Sequence, residues 1–454
     1  MIRPFEISTA ETPLRDKGRL RRILSALGTA VVGKGSVLLL NAVSVPITVR
    51  YLGAEQYGLW ITISTTITML VVLDIGIANT LTNLISEAYA KDDRDAAAEY
   101  FSTAFLAMTL ISTALGLAGW VAWPHVNIGY LLNVHDPTLV PMVSKSVVIA
   151  FVLFLVGLPA GLASKALGGY QELHIANLFT AGGSILGLLA ILGVVLFKGS
   201  LVDLVAAYAG ATLIASVACF AWLALFKKPW LRPTPMLFRQ GHLKRIFHSG
   251  GQFFVIQLAG LVVFNSDNLV ISHFLSPAEV TPYSVTWRLT TYATALQTLA
   301  APALWPAYSE AWARKQMHWI RRTYRSVHWI TVACMVLACA ILLPFGRAII
   351  RAWAGPAAVP SMALLVIMCV WMVLYAVTVN QACLMGATSR MGKQAISSSL
   401  AAAANLALTL WWVRSMGITG VILGTVVSYL AFIVIVQAWE VRSILRMRPE
   451  SIVV

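Results

Sequence analysis

RYLGAEQYGLWITISTTITMLVVLDIGIANTLTNLISEAYAK, residues Arg50–Lys91, reads as a short turn, a long apolar run and a charged exit. A single acid, Asp74, interrupts the apolar run. Both ends of the stretch recur later. Ser86-Glu87-Ala88-Tyr89-Ala90 reappears as Ser309-Glu310-Ala311-Trp312-Ala313, and Leu52 with Ala54-Glu55 has a looser echo in Leu275 with Ala278-Glu279. The two displacements are nearly the same, which points to an internal duplication and to two halves of about six apolar segments each.

Composition agrees with that division. The 454 residues are 59% hydrophobic and only 11% charged, with a mean hydropathy of +0.79. Soluble domains carry about a quarter charged residues, so the chain reads as a polytopic membrane protein. A bilayer asks for roughly 20 apolar residues per helix. Twelve segments meet this, near 28–49, 57–83, 99–121, 143–164, 175–197, 202–226, 249–272, 282–306, 326–346, 360–385, 393–412 and 417–439. Lipid leaves no partner for open backbone groups, so the segments are helices. The expected fold is all-α, with six-helix bundles at 28–226 and 249–439. A basic tail (1–27), a basic proline-containing linker (227–248) and a short C-terminal tail (440–454) complete it. The basic N-terminus followed by an apolar run without a cleavage pattern reads as a retained first span.

The net charge of +15 does not call for nucleic acid. Most of the Lys and Arg fall in the tails, the central linker and alternate loops, while the opposite loops hold only Arg50, Lys198, Arg347, Arg351 and Arg414. That asymmetry orients a membrane protein with both termini and the linker in the cytoplasm, near anionic lipid. Each half then starts and ends on the same side. The repeat is therefore parallel, with a pseudo-two-fold axis along the membrane normal. Cys219, Cys334, Cys339, Cys369 and Cys383 lie in or at apolar runs without metal spacing, and no metal site is expected.

No Walker A, H-E-x-x-H or dinucleotide motif is present, so neither ATP-driven transport nor covalent catalysis is expected. The informative residues are those that are costly to place in lipid. Lys34 in the first span, Lys145 at the start of the fourth and Arg288 in the eighth would, around a cavity, attract a phosphate or diphosphate. Lys34 and Lys145 equally fit snorkelling to an interface. Asp74 and Asp267 read either as coupling sites for a proton or sodium ion or as helix-pairing groups. Asn41, Asn79 and Asn265 would add polar surface to the cavity, or bond between helices. Glu87 and its repeat Glu310 end the second and eighth spans. They read as a cytoplasmic gate pairing with Lys91, Arg94 or Arg314, or as part of an interfacial anchor with Tyr89 and Trp312.

The run from Arg50-Tyr51-Leu52-Gly53-Ala54-Glu55-Gln56-Tyr57-Gly58-Leu59-Trp60 through Leu73-Asp74-Ile75-Gly76-Ile77-Ala78-Asn79 to Ser86-Glu87 resembles the opening of bacterial polysaccharide exporters. These are the Wzx-like O-antigen and exopolysaccharide flippases of the multidrug/oligosaccharidyl-lipid/polysaccharide superfamily. The resemblance implies a V-shaped pair of bundles in the inner membrane that alternates between inward-open and outward-open states. It implies a substrate of undecaprenyl-diphosphate-linked oligosaccharide, carried with the tail left in lipid and driven by an ion gradient. Polysaccharide-assembly proteins would be partners, and a monomer would suffice. Two other readings stay open: a cation-coupled multidrug exporter of the same superfamily, and a non-transporting scaffold for glycan assembly.

Overall fold

The computed structural model describes residues 13–70, 74, 76–134, 136–388 and 392–447. Within its helices, most side chains from 13 to 41, and parts of 247–257, 296–310 and 392–395, lie outside that description. Among the described residues every regular element is helical.

The first element, α1 (Pro13–Met69), is two helices in one. Gly53 breaks it with φ 74 and ψ 177, a conformation that side chains with a Cβ resist. The expected loop after the first span is thus a single-residue corner. The second span, expected as one run over 57–83, is itself interrupted. α1 stops at Met69, and α2 (Ile77–Ala90) starts after Gly76, whose φ is 72. Asp74 sits in the break, and its Oδ1 accepts a hydrogen bond from the Gly76 amide at 2.8 Å. A carboxylate there satisfies a backbone group that would otherwise face lipid, and it complements the positive end of the α2 dipole.

The first half continues with α3 (Arg94–Ala122), a short α4 (Ile128–Leu132), α5 (Val140–Gly169), α6 (Leu173–Leu196) and α7 (Leu201–Trp222), which ends in a π-turn. The second half has α8 (Gln240–Phe274), α9 (Pro277–Ala313), α10 (Met317–Ala354), α11 (Met362–Ala387) and α12 (Gly392–Met416). Its last span joins α13 (Ile418–Tyr429) through a π-turn to α14 (Ile435–Arg446).

Among the described residues, eight helical runs are long and apolar enough to cross a membrane by composition alone. α1 packs against α8 and α9, which brings the two halves together. Helices in lipid gain little from hydrophobic burial against each other and rely on close backbone approach. Gly58 shows this: a Cβ added there would lie 1.7 Å from the carbonyl oxygen of Pro277.

The two halves meet at the end that carries the α1 corner, called here the far end. Thr281 Oγ1 donates to the Ala54 carbonyl at 2.6 Å, and Arg50 Nη2 to that of Ala352 at 2.8 Å. Trp353 Nε1 donates to the Ala42 carbonyl at 2.8 Å and Asn133 Nδ2 to that of Leu275 at 2.9 Å. Ser272 Oγ reaches Leu132 at 2.9 Å.

The opposite end carries the linker, which folds onto the first half. Arg239 and His242 both bond Glu99, at 2.9 and 3.0 Å, and Arg245 bonds Glu87 at 2.7 Å. Lys228 lies 4.0 Å over the Tyr170 ring and bridges to Glu172 at 3.4 Å. The seventh span therefore begins at Gln240, before the expected 249, and its first turns belong to the N-terminal bundle.

Candidate substrate cavity

A cavity of about 750 Å³ opens between the halves. The broken second span, α5 and α7 form most of its wall, and Arg288 of α9 faces them. Asp74 and Asn79 come from the break and the first turn of α2, and Lys165 from α5. Lys165 Nζ bonds Asn79 Oδ1 at 3.3 Å. Arg288 lies within electrostatic reach of the Tyr57 and Tyr292 hydroxyls. Two cations and one carboxylate thus line the space, and the carboxylate is already engaged with backbone. A guanidinium on one wall and an ammonium on the other suit an anion with several oxygens.

The structure brings together Arg288, Asp74 and Asn79 from the sequence-derived set. Lys34 and Asn41 lie on α1, and their side chains are outside the described residues. Lys145 is exposed near the start of α5 and does not line the cavity. Asn265 is half-buried on α8, also away from it. Asp267 does not face the cavity. It is 3% exposed, accepts a hydrogen bond from the Tyr283 hydroxyl, and lies 3.4 Å from Thr425 Oγ1. Among the described residues its Oδ1 has no hydrogen-bond partner, and neither has Oδ1 of Asn405, whose Nδ2 bonds the same Thr425 at 2.9 Å.

Glu87 takes Lys91 at 2.9 Å and Arg245 at 2.7 Å as partners, so it ties α2 to the linker. Arg94, an expected partner, instead stacks 4.9 Å over Trp230. The Glu310 side chain is outside the described residues. Glu87 lies beyond the apolar run of its helix. The Lys91 hydrogen bond first, then Arg245, hold its carboxyl below the ordinary value, and Glu87 in turn raises Lys91.

Lys165 is the residue that sequence reasoning missed, having assigned it to a connecting loop. α5 continues to Gly169 and carries Lys165 inside the helix. The signal was present: Gly157, Gly161 and Lys165 recur every four residues and share one helical face, and all three line the cavity.

Two helical lobes with broken, polar central helices and a charged cavity between them define a polytopic membrane transporter fold. Among solved structures, the fold is similar to a multidrug resistance MATE transporter of the MOP superfamily in its inward-facing conformation. That likeness has a TM-score of 0.75 and 14% identity over 91% of this chain and 98% of that one. It is also similar to the lipid II flippase MurJ in an inward closed conformation, with a TM-score of 0.70 and 14% identity over 91% and 87%. The profile of the polysaccharide biosynthesis protein family matches residues 26–312, and the chain belongs to that family. A MatE profile matches 253–411. A relative from Salmonella typhimurium, which carries the provisional name O-antigen transporter, is 23% identical over 64% of this chain. The match spans 66% of that relative's length, just under two thirds.

Proposed function

We propose that this protein moves a polyprenyl-diphosphate-linked oligosaccharide across the bacterial inner membrane, from the cytoplasmic to the periplasmic face, by alternating access. The observation that carries the reading is that Lys165 of the first half and Arg288 of the second line one cavity. Carrying phosphate charge through ~30 Å of hydrocarbon unaided is prohibitive, and paired cations in a hydrated cavity lower that barrier. Family membership and the lipid-flippase neighbour support the same substrate class.

The linker end is cytoplasmic in this reading, as the loop charges imply, and the bonded far end is periplasmic. The headgroup enters from the cytoplasm, Lys165 and Arg288 neutralise its phosphates, and the tail stays in lipid. The far-end bonds then part while the linker end closes. An ion gradient drives the cycle through Asp267. Asp267 Oδ2 and Asn405 Nδ2 both meet Thr425 Oγ1, and a buried carboxylate in that polar setting suits a proton or a sodium ion. No covalent step is required.

The test is the distribution of lipid-linked oligosaccharide between membrane faces in cells with the gene deleted and then restored. Cytoplasmic-face accumulation on deletion, relieved by the wild type but not by an inserted Arg288→Ala protein, is the expected result. An unchanged distribution in a strain without a redundant flippase rules the reading out. The MatE match over the second half favours, as a second reading, export of organic cations. Asp74, the acidic residue of the cavity wall, would then be the group to test.

A further inference from the structure

A second cavity, of about 250 Å³, lies inside the first lobe between α1, α5, α6 and α7. It shares Gly161, Ser164, Tyr208, Thr212 and Ser216 with the central cavity, so the two adjoin. Its chemistry differs. Lys165, Arg288 and Asp74 all stay in the central cavity, and among the described residues no charged side chain lines this annex.

Hydroxyls line it instead. Ser164 donates to the Gly161 carbonyl at 2.8 Å and Thr180 to that of Ala176 at 3.0 Å. Ser184, Thr212 and Ser216 donate back along their own helices in the same way, at 3.0, 3.1 and 3.0 Å. With each proton committed to backbone, the oxygens offer lone pairs. That is an array of acceptors awaiting hydroxyl or amide donors. At the junction stands Tyr208, held edge-on against Trp60 with ring centroids 6.0 Å apart. An aromatic ring beside polar groups covers the apolar face of an amphipathic ligand.

We infer that the annex holds the first, uncharged sugar ring of the headgroup while Lys165 and Arg288 hold the adjoining diphosphate. This rests on the flippase reading and adds to it a subsite for neutral sugar. Among the described residues, an organic cation finds no carboxylate in the annex and a phosphate finds no cation there. A bare polyprenyl diphosphate would leave it empty.

Gly187, which lines the annex and not the central cavity, gives the means of testing this. A Cβ added there meets only side chains at ordinary contact distance, Ala211 at 3.6 Å and Leu40 at 4.0 Å, so Gly187→Leu fills annex space without displacing backbone. Gly182, open and exposed on the same helix and lining neither cavity, is the control as Gly182→Leu. Purified full-length protein in lipid nanodiscs is titrated with polyprenyl diphosphate, and with the same lipid bearing one N-acetylhexosamine.

The wild type is expected to bind the sugar-bearing lipid about tenfold more tightly, the equivalent of one or two net hydrogen bonds. Gly187→Leu removes that preference and leaves bare-lipid affinity within about twofold; Gly182→Leu changes neither. Thr212→Val, which keeps shape and removes one acceptor, lowers the preference by about threefold and guards against a folding failure of the first variant. A preference that survives Gly187→Leu, or equal binding of both lipids by the wild type, overturns the sugar subsite alone. If the wild type binds neither lipid, the flippase reading falls and the subsite with it.

Discussion

Thr281 and Ala54 are joined by a 2.6 Å hydrogen bond, and the reverse pairing is made by Gly58 against Pro277. The displacement that carries Ser86 to Ser309 carries Ala54 to Pro277 and Gly58 to Thr281. Each position therefore touches the repeat counterpart of the other, as in the isologous contact of a two-fold dimer. The pseudo-symmetry axis passes between these residues.

Gly58→Val should prevent this contact, since any Cβ at Gly58 overlaps the Pro277 carbonyl. The far end is expected to stay open. A single cysteine placed at Asn133 should label from the outside several times faster than in the unaltered background, and transport should fall by at least tenfold. Unchanged labelling would mean that the contact does not seal this end.

Removing either cavity cation should weaken headgroup binding without preventing insertion. Charge-assisted hydrogen bonds are worth roughly 1.5–3 kcal/mol, so Lys165→Ala or Arg288→Ala should raise the Kd for polyprenyl diphosphate about 10- to 100-fold. Lys165→Arg should recover most of the loss. Titration in nanodiscs, with membrane-fraction yield as the insertion control, checks both.

Much of the fold was legible from residues alone. The Ser86/Ser309 echo gave the duplication, apolar length gave the spans, and even numbering gave a parallel repeat. The site was legible only in part. Arg288 and Asp74 stood out because charge in an apolar run is costly. Lys165 did not, because it lies close to a helix end, where a lysine is ordinary, and only the coil of α5 shows which way it faces. For Asp267 the sequence left two readings, ion coupling or helix pairing. Sequence separation cannot show that Tyr283 and Thr425 enclose it.

Asp267→Asn should uncouple transport from the ion gradient while leaving binding of polyprenyl diphosphate unchanged, because Asp267 lies outside the cavity. Proteoliposome flipping assays with and without imposed proton and sodium gradients measure this. Gradient dependence equal to the wild type would remove Asp267 from the coupling role.

The clamp of Glu87 on Lys91 and Arg245 should respond to pH with a defined sign. The carboxyl is held below its ordinary value in the fold, so the bridge is fully present above the unfolded-state value and is lost as pH falls through the folded one. Spin labels on α2 and on the first turns of α8 should separate on acidification below the usual carboxylate range. Glu87→Gln should give the same separation at neutral pH. The double exchange Glu87→Arg with Arg245→Glu should restore proximity.

The reciprocal contact of Ala54, Gly58, Pro277 and Thr281 also sets a mechanical ratio. It sits at the start of α9, whose 37 residues make a rod about 55 Å long. While the contact is closed, a tilt of ~10° about it moves the other end of that rod by about 10 Å, from helix length alone. Atoms at the contact shift by little more than a bond length. A few weak bonds at the closed end can thus govern a wide opening at the linker end, and they are the bonds that must break before the other side opens.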